Sequence, residues 1–258
     1  DDVVLKEEGT KMYVLGRILV GFGAERRVWQ YDLSTAFDVT TASFSSKEKR
    51  VDNSPKESGS GALGTPQGIT LNPTGTKLYV SGNQGVFWQW TLNTPWDIST
   101  AEWDFVDIEP NDLFGVKDLA FNPAGTKLFA INNSNPERIV VYPINTAFDI
   151  STIATFNPDE FEVESEDGSP LGLAFSNDGT RMFVLGGSND KVFQYNLTTP
   201  FDFSFNNVTF SGKSFDVSNA AFAPRGLVFN NTGTRLFTCD FQQENIVQFN
   251  LTSPFELP

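Results

Sequence analysis

The length, composition and charge of the chain exclude several classes of function. Its 258 residues suffice for two average domains or for one large all-β domain. The net charge of −14 repels phosphate, so nucleic acids and anionic membrane surfaces are excluded as partners. The sequence contains no histidine, which excludes a Ser-His-Asp triad and an imidazole metal site.

Three features of the sequence concern membrane spans, processing and location. No apolar run reaches about 18 residues, so the sequence predicts no membrane span. The chain begins with Asp1 and Asp2 rather than Met, as expected for a mature or trimmed product. The acidic, Asn-, Ser- and Thr-rich composition and the lack of histidine favour an extracellular or cell-surface protein.

One seven-residue phrase organises the whole chain. It occurs five times at spacings of 66, 50, 54 and 54 residues, which indicates a repeat array. The copies are GTKMYVL from Gly9, GTKLYVS from Gly75, GTKLFAI from Gly125, GTRMFVL from Gly179 and GTRLFTC from Gly233. We therefore predict a single domain over residues 1–258. Its repeats span approximately 1–52, 65–109, 115–164, 169–218 and 223–258.

Each repeat reads as short strands joined by tight turns. Strand A is a short apolar segment, and a turn closed by Gly leads into strand B, which is the repeated phrase. Strand C follows the pattern V-x-Q-Y-x-L, with an aromatic residue and an aliphatic residue two positions apart and therefore on one face. The aromatic residues are Tyr31, Trp90, Tyr142, Tyr195 and Phe249. We expect these faces to form the contacts between repeats.

A second turn recurs after strand C and carries an aspartate. We expect its carboxylate to accept backbone N–H groups in an Asx turn. These aspartates are Asp38, Asp97, Asp149 and Asp202. A ring of calcium ligands is the rival interpretation, but one Asp per repeat does not supply six close oxygens. Strand D then follows in four repeats, over residues 41–52, 100–109, 152–164 and 206–218.

Four-stranded units of this length, arranged radially, are typical of the blades of a β-propeller. The sequence therefore predicts an all-β fold with a single β-propeller of five four-stranded blades, the last incomplete. The phrase N-x-x-G-T-K-L-Y-V followed by V-x-Q-Y-x-L resembles the YVTN/lactonase-type β-propeller repeats over nearly the whole chain. That resemblance implies a relation to surface-layer and adhesion-like proteins and to a few lactone hydrolases. The familiar members have seven blades, whereas this chain has five copies of the phrase.

In the last repeat, the residues between strand C and Pro258 are too few for a fifth strand D. Three explanations stay open: a three-stranded last blade, a trimmed sequence, or an open edge at strand C (245–251) that accepts a strand from a neighbour. Residues 47–64 are rich in Ser, Gly, Pro and charge, and we expect a surface loop there.

Function in such a fold is expected where the repeats differ. The B–C loops over 16–27, 81–85, 132–138, 186–191 and 239–245 vary and are predicted to ring one mouth of the channel. The predicted ligand or partner contacts are Gln67, Lys117, Arg225, Asp240, Phe22 and Asp190. The first four form a polar, partly cationic mouth suited to an anionic or sugar-like ligand or to a partner chain. No cofactor is predicted, although Asp190 with Asp240 has the oxygen donors that Ca²⁺ binds.

Two further features concern single residues. Cys239 occupies a strand position that is mostly apolar in the other repeats, so we expect a packed thiol. Glycosylation sequons occur at Asn132, Asn196, Asn207, Asn230 and Asn250, and Asn132 and Asn230 are expected to be accessible because they lie in predicted turns.

These observations support three hypotheses of function. The first is a non-catalytic extracellular or surface propeller that acts in protein interaction, adhesion or self-assembly, with a partner or a second copy at the open edge. The second is a lectin-like propeller that binds a ligand at the channel mouth. The third is a lactonase-like hydrolase, which the absence of histidine disfavours.

Overall fold

The computed structural model of the protein describes residues 1–6, 8–21, 23–52, 65–110, 113–154, 159–204 and 206–258. These residues form five antiparallel sheets, four of four strands and one of three. The innermost strands of consecutive sheets contact one another, and the innermost strand of the fifth sheet contacts that of the first. The predicted five-bladed β-propeller, with an incomplete last blade, is thereby confirmed.

The strands of each blade fall within one predicted repeat. Blade 1 contains β1 (Asp2–Lys6), β2 (Lys11–Val20), β3 (Gly23–Leu33) and β4 (Ala42–Arg50). Blade 2 contains β5 (Pro66–Leu71), β6 (Lys77–Gly82), β7 (Val86–Leu92) and β8 (Ala101–Ile108). Blade 3 contains β9 (Val116–Phe121), β10 (Lys127–Asn132), β11 (Arg138–Pro143) and β12 (Asp159–Glu162). Blade 4 contains β13 (Pro170–Phe175), β14 (Arg181–Gly186), β15 (Lys191–Leu197) and β16 (Val208–Asp216). Blade 5 contains β17 (Pro224–Phe229), β18 (Arg235–Asp240) and β19 (Asn245–Asn250).

The core lies between the blades, as the aromatic faces predict. Between blades 3 and 4, for example, the Phe129 ring lies 4.6 Å from that of Phe175 and 5.3 Å from that of Phe203. Such tilted pairs add to the free energy gained by burying apolar area. Each blade therefore depends on its neighbours for burial of its faces.

The two repeated turns of each blade contact each other through a glycine and an aromatic ring. Gly179 has a φ of +71°, and a Cβ there would lie 2.1 Å from the Phe201 ring. The Phe201 N–H donates to the Gly179 carbonyl at 3.1 Å. The same contact joins Gly9 to Phe37, Gly75 to Trp96, Gly125 to Phe148 and Gly233 to Phe255. The repeated Gly-Thr is thus required by the packing of the following turn.

The repeated aspartates also act as predicted. Asp38, Asp97 and Asp149 each cap a short 3₁₀ helix, at Val39–Thr41, Ile98–Thr100 and Ile150–Thr152, by accepting a backbone N–H. Asp202 accepts the Ser204 N–H at 3.3 Å. The aspartates are therefore explained by turn chemistry.

Two predictions of loops are wrong. Residues 16–27 are mostly strand, because β2 and β3 continue their pairing from Gly16–Arg27 out to Val20–Gly23 as a long hairpin. Residues 47–50 belong to β4, where Lys47 pairs with Gln30, and Val51 is buried. The predicted contact residue Phe22 and residues 53–64 lie outside the described residues.

We expect Gly179→Ala to lower the free energy of unfolding by about 2–4 kcal/mol, because it combines a left-handed backbone with a clash against Phe201. Urea unfolding followed by tryptophan fluorescence measures the change. Gly168→Ala is the matched control, since nothing lies within 4 Å of a Cβ at that position. Equal stability of the two variants would contradict the packing role of Gly179.

Candidate functional site

One equivalent position in each of the five innermost strands lies close to its counterparts at the channel. In blade order they are Asp2, Gly68, Asp118, Gly172 and Gly226. A Cβ on Gly226 would lie 2.2 Å from the Asp2 carboxylate, and one on Gly68 would lie 2.7 Å from the Asp118 Cα. The glycines are therefore imposed by close approach of neighbouring blades.

The two aspartates of this ring bond neighbouring blades together. Asp2 accepts the Ile69 N–H of blade 2 at 2.7 Å, and Asp118 accepts the Leu173 N–H of blade 4 at 2.7 Å. Both carboxyls are buried. Burial raises the pKa of Asp2 from 3.8 to about 7 and raises that of Asp118 well above its usual range, with a further increase from the charge of Asp2.

The structure brings together three of the predicted mouth residues. The Lys117 ammonium lies 3.5 Å from the Gln67 side-chain oxygen. Burial, followed by the charge of Arg225, lowers the pKa of Lys117. The Arg225 guanidinium stacks 4.5 Å above the ring of Phe241. Burial, followed by the charge of Arg225, lowers the pKa of Arg26, whose guanidinium forms an ion pair with Asp1.

Asp240 and Asp190 occupy different environments. The Asp240 carboxylate is buried and accepts the backbone N–H groups of Phe222 at 2.7 Å and Gln242 at 2.8 Å, so it holds its own loop. Burial raises the pKa of Asp190, and the charges of nearby aspartates, Asp240 among them, raise it further. Within the described residues, no group of three or more His, Cys, Asp or Glu side chains is placed to hold a metal ion.

The accessibility predicted for two sequons is wrong. Asn132 and Asn230 are buried, because their side chains cap the turns in which they lie. Asn132 accepts the Arg138 N–H at 2.9 Å, and Asn230 accepts the Thr234 N–H at 2.8 Å. Asn207 is also buried, whereas Asn196 and Asn250 are exposed.

Cys239 is buried, as predicted for a packed thiol. Its Sγ donates to the Arg225 carbonyl at 2.9 Å, and burial raises the pKa of the thiol. The thiolate fraction is therefore small at neutral pH.

A glutamine of strand C joins most blades to the next one. The side-chain oxygens of Gln30, Gln89 and Gln194 accept backbone N–H groups from the following blade. The donors are Ile98 at 3.0 Å, Ile150 at 3.0 Å and Leu257 at 2.9 Å. Blade 3 differs, because Val141 takes the glutamine position and Phe203 of blade 4 fills the space.

The seam between blades 5 and 1 lacks this bond. The side-chain oxygen of Gln248 is buried and has no hydrogen-bond partner among the described residues. Val39 of blade 1 is equivalent to Ile98 of blade 2 and Leu257 of blade 5. Those two residues are buried, whereas Val39 is only half-buried. This seam, which we call the 5–1 seam, therefore lacks the glutamine bond in the described residues and is joined by other contacts, such as the Arg235 bond to the Phe37 carbonyl at 2.6 Å.

The edge of blade 5 at this seam is open. Among the described residues, which continue to Pro258, no fourth strand pairs with β19. In blade 4 the carbonyl of Gln194 faces the fourth strand, where it accepts the Ser211 hydroxyl at 2.7 Å. Gln248 of β19 is equivalent to Gln194. Because backbone groups of alternate residues in a strand face the same side, the N–H and C=O groups of Ile246, Gln248 and Asn250 face away from β18.

A partly apolar cleft of about 710 Å³ lies along the same seam, and the charged residues Asp1, Arg17, Asp240 and Glu244 also line it. Its walls include Met12, Val14, Tyr31, Ala42 and Ile246. The β2–β3 hairpin extends its rim with exposed apolar side chains, of which Leu19 is 72% exposed. Sequence reasoning gave an open edge as one of three explanations of the incomplete last blade, and it missed this wall. The signal was present in the apolar run Ile18–Val20, which the prediction of a loop left unexplained.

Comparison with known proteins supports the fold alone. No protein-family model matches the chain, and no curated protein matches its sequence. A functionally unknown protein from Desulfotomaculum acetoxidans has a similar structure, with a TM-score of 0.54 at 15% identity, over 98% of this chain and 68% of that one. The likeness to the YVTN/lactonase-type repeat therefore stays a resemblance.

Two further solved structures are similar at a TM-score of 0.49 and 11% identity. One is a proposed 6-phosphogluconolactonase from Bacteroides fragilis, aligned over 83% of this chain and 54% of that one. This chain therefore spans about half of its length. The other is the β-propeller domain of Cps50 (Swd1) from Myceliophteria thermophila, aligned over 95% of this chain and 78% of that one.

Across the described residues, no helix is long and apolar enough to span a membrane. The helical segments are single 3₁₀ turns of three residues, such as Val39–Thr41.

We expect Gln89→Met to lower the free energy of unfolding by about 1–3 kcal/mol, because the buried Ile150 N–H loses its acceptor. Gln248→Met is the matched variant and should change stability by less than about 0.5 kcal/mol, since no bond across the seam is lost. Chemical denaturation of both proteins measures the difference. A large loss in Gln248→Met would show that the 5–1 seam is bonded like the others.

Ionisation of the buried Asp2 carboxyl should lower the free energy of unfolding as the pH rises. A carboxyl whose pKa is raised on folding contributes stability fully below the unfolded value of 3.8 and loses it through about 7. We expect the free energy of unfolding of Asp2→Asn to depend less on pH across this window than that of the wild-type protein. Parallel slopes in urea titrations at several pH values would contradict the assignment.

Proposed function

We propose that this protein is a non-catalytic interaction module that accepts an extended segment of a partner polypeptide at the open edge of blade 5. The observation that carries the proposal is the outward-facing backbone of β19 beside a cleft that is lined in part by apolar side chains. Unpaired strand edges bind added strands through main-chain hydrogen bonds, and neighbouring pockets select the side chains.

The exposure of this seam supports the same proposal. Val28, Phe87, Ile139 and Val192 are buried at the position equivalent to Ile246, which is only half-buried. Phe241 and Leu19 add exposed apolar surface at the same seam. Exposed apolar surface concentrated in one place is typical of an interaction site.

The proposed role is extracellular or at the cell surface, in adhesion or assembly. Its support is the acidic composition and the resemblance to YVTN/lactonase-type surface proteins. Catalysis is not proposed, because the chain has no histidine and a likeness of fold does not carry activity.

A second candidate is ligand binding at the channel mouth. The observation that favours it is Lys117, which lies 3.5 Å from the Gln67 side-chain oxygen and whose pKa is lowered by burial and by the charge of Arg225. An anion would offset that repulsion. A lectin-like or anion-binding role would use Gln67 as a further hydrogen-bonding group.

Selection from a displayed peptide library tests the main proposal. Peptides enriched on the wild-type protein should lose binding to Ile246→Pro, because proline removes one outward N–H from the edge. Ile246→Ala is the matched control: it retains the N–H and should retain most of the binding. Thermal unfolding of each variant verifies that the sheet is intact.

Amide exchange by NMR locates the bound peptide. The Gln248 amide should become protected when a selected peptide binds, since its N–H faces the incoming strand. Peptides that bind Ile246→Pro as well as wild type overturn the edge proposal. If their binding is lost in Lys117→Met, the channel mouth is the site.

A further inference from the structure

We propose that the tip of the β2–β3 hairpin inserts into the surface of a zwitterionic lipid bilayer. This role goes beyond the proposed function and does not depend on the edge of blade 5. Three features of the hairpin support it: its length, the exposure of apolar side chains at its tip, and the charges at its base.

The hairpin extends beyond the equivalent strand pairs of the other blades. In those blades, pairing of the second strand with the third ends at or before the position of Gly16. In blade 1 the pairing continues from Arg17–Arg26 to Val20–Gly23. At about 3.3 Å per residue, this segment adds about 13 Å of paired strand. We call residues 17–20 and 23–26 the tip segment.

The tip segment exposes apolar side chains on both of its faces. Ile18, Leu19 and Val20 are 39%, 72% and 46% exposed. Because side chains alternate along a strand, Leu19 lies on one face of the hairpin, and Ile18 and Val20 lie on the other. A partner protein with a flat surface would cover one of these faces, whereas a bilayer surrounds both.

Other exposed apolar side chains lie on the same face of the propeller. Phe241 is in the loop between β18 and β19, and Phe222 and Phe114 are in the loops that lead into β17 and β9. Because successive strands are antiparallel, these loops lie on the face that carries the β2–β3 hairpin. Six of the nine large apolar side chains that are exposed in the described part of the chain are therefore on this face. Such concentration is typical of an interaction surface.

The carboxylate nearest to these apolar side chains is neutralised. Glu25 lies opposite Ile18, and its carboxylate pairs with Arg27 at 2.6 Å and with Arg50 at 3.0 Å. The Glu25 side chain is only 15% exposed, so it is directed to these cations rather than to solvent. An unpaired carboxylate at this position would oppose contact with lipid, and the ion pairs remove that penalty.

Arg17 provides a cation at the base of the tip segment. It is exposed, and it lies opposite Arg26, which pairs with Asp1. Arginine side chains extend their apolar stems along apolar surface and place the guanidinium in the polar layer. Arg17 is therefore placed to contact a headgroup phosphate when the tip segment is inserted.

The backbone of the hairpin limits the depth of insertion. β1 pairs with β2 as far as Leu15, and β4 pairs with β3 as far as Arg27. Beyond these residues the outer edges of the hairpin have no neighbouring strand in the described parts of the chain. Unpaired backbone groups are costly in hydrocarbon, so the tip segment reaches the boundary between headgroups and acyl chains and no deeper.

Co-sedimentation of the whole protein with phosphatidylcholine vesicles tests the proposal. The wild-type protein should bind, and Leu19→Glu should bind at least about tenfold more weakly, because an apolar contact is lost and a charge is added. Phe105→Ser is the matched control. It removes a side chain that is 79% exposed on β8, away from this face, and should bind like the wild-type protein. Thermal unfolding of each variant verifies the fold.

A fluorophore sensitive to polarity locates the inserted residue. Attached at Leu19→Cys, its emission should shift to the blue when vesicles are added, whereas at Phe105→Cys it should not shift. Cys239 is buried and its thiol has a raised pKa, so the label reacts at the introduced site. Phosphatidylglycerol in the vesicles should weaken binding because the net charge is −14, and added salt should restore it.

Three results would overturn the proposal. The first is absence of vesicle binding, or equal binding by Leu19→Glu and the wild-type protein. The second is binding that requires anionic lipid, which would exclude a zwitterionic surface. The third is an oligomer of the wild-type protein that Leu19→Glu dissociates without any vesicle binding, because a second copy would then cover the tip segment. Peptide binding at β19 is measured separately, so either proposal can fail alone.

Discussion

The hydrogen bond from a strand C glutamine to the next blade is the interaction that sets how tightly this ring closes. A buried backbone N–H needs an acceptor, and the glutamine side chain supplies it across the seam for Ile98, Ile150 and Leu257. Where aromatic packing replaces it, as at Phe203, the seam stays filled. Where Gln248 has no partner among the described residues, an open strand edge and an apolar cleft remain.

The fourth strand explains why this one seam differs. In blades 1 and 4 it supplies a lysine to the next turn and a buried valine to the carbonyl before strand C. Blade 5 retains the receiving groups, the carboxylate of Asp38 and the carbonyl of Glu244, and has three strands in the described residues.

Much of the fold could be predicted because the repeat records local constraints. Each of these constraints acts within about 25 residues of chain: the turn glycine, the capping aspartate and the alternation in strand C. A single copy of the repeat therefore predicts them, and the other copies repeat the same residues. The open edge of blade 5 was also predictable, because one copy lacks a fourth strand. The β2–β3 hairpin was missed, because its pairing follows no pattern that the other repeats share.

The sequence by itself determined the strand order, the five blades, the turn chemistry and the burial of Cys239, since all of these depend on short-range pattern. Only the tertiary structure decided which residues meet across blades. It placed Lys117 beside Gln67, buried Asn132 and Asn230, and left the Gln248 side-chain oxygen without a partner among the described residues. Those contacts join residues far apart in the chain, and their geometry depends on closure of the ring, which no single repeat encodes.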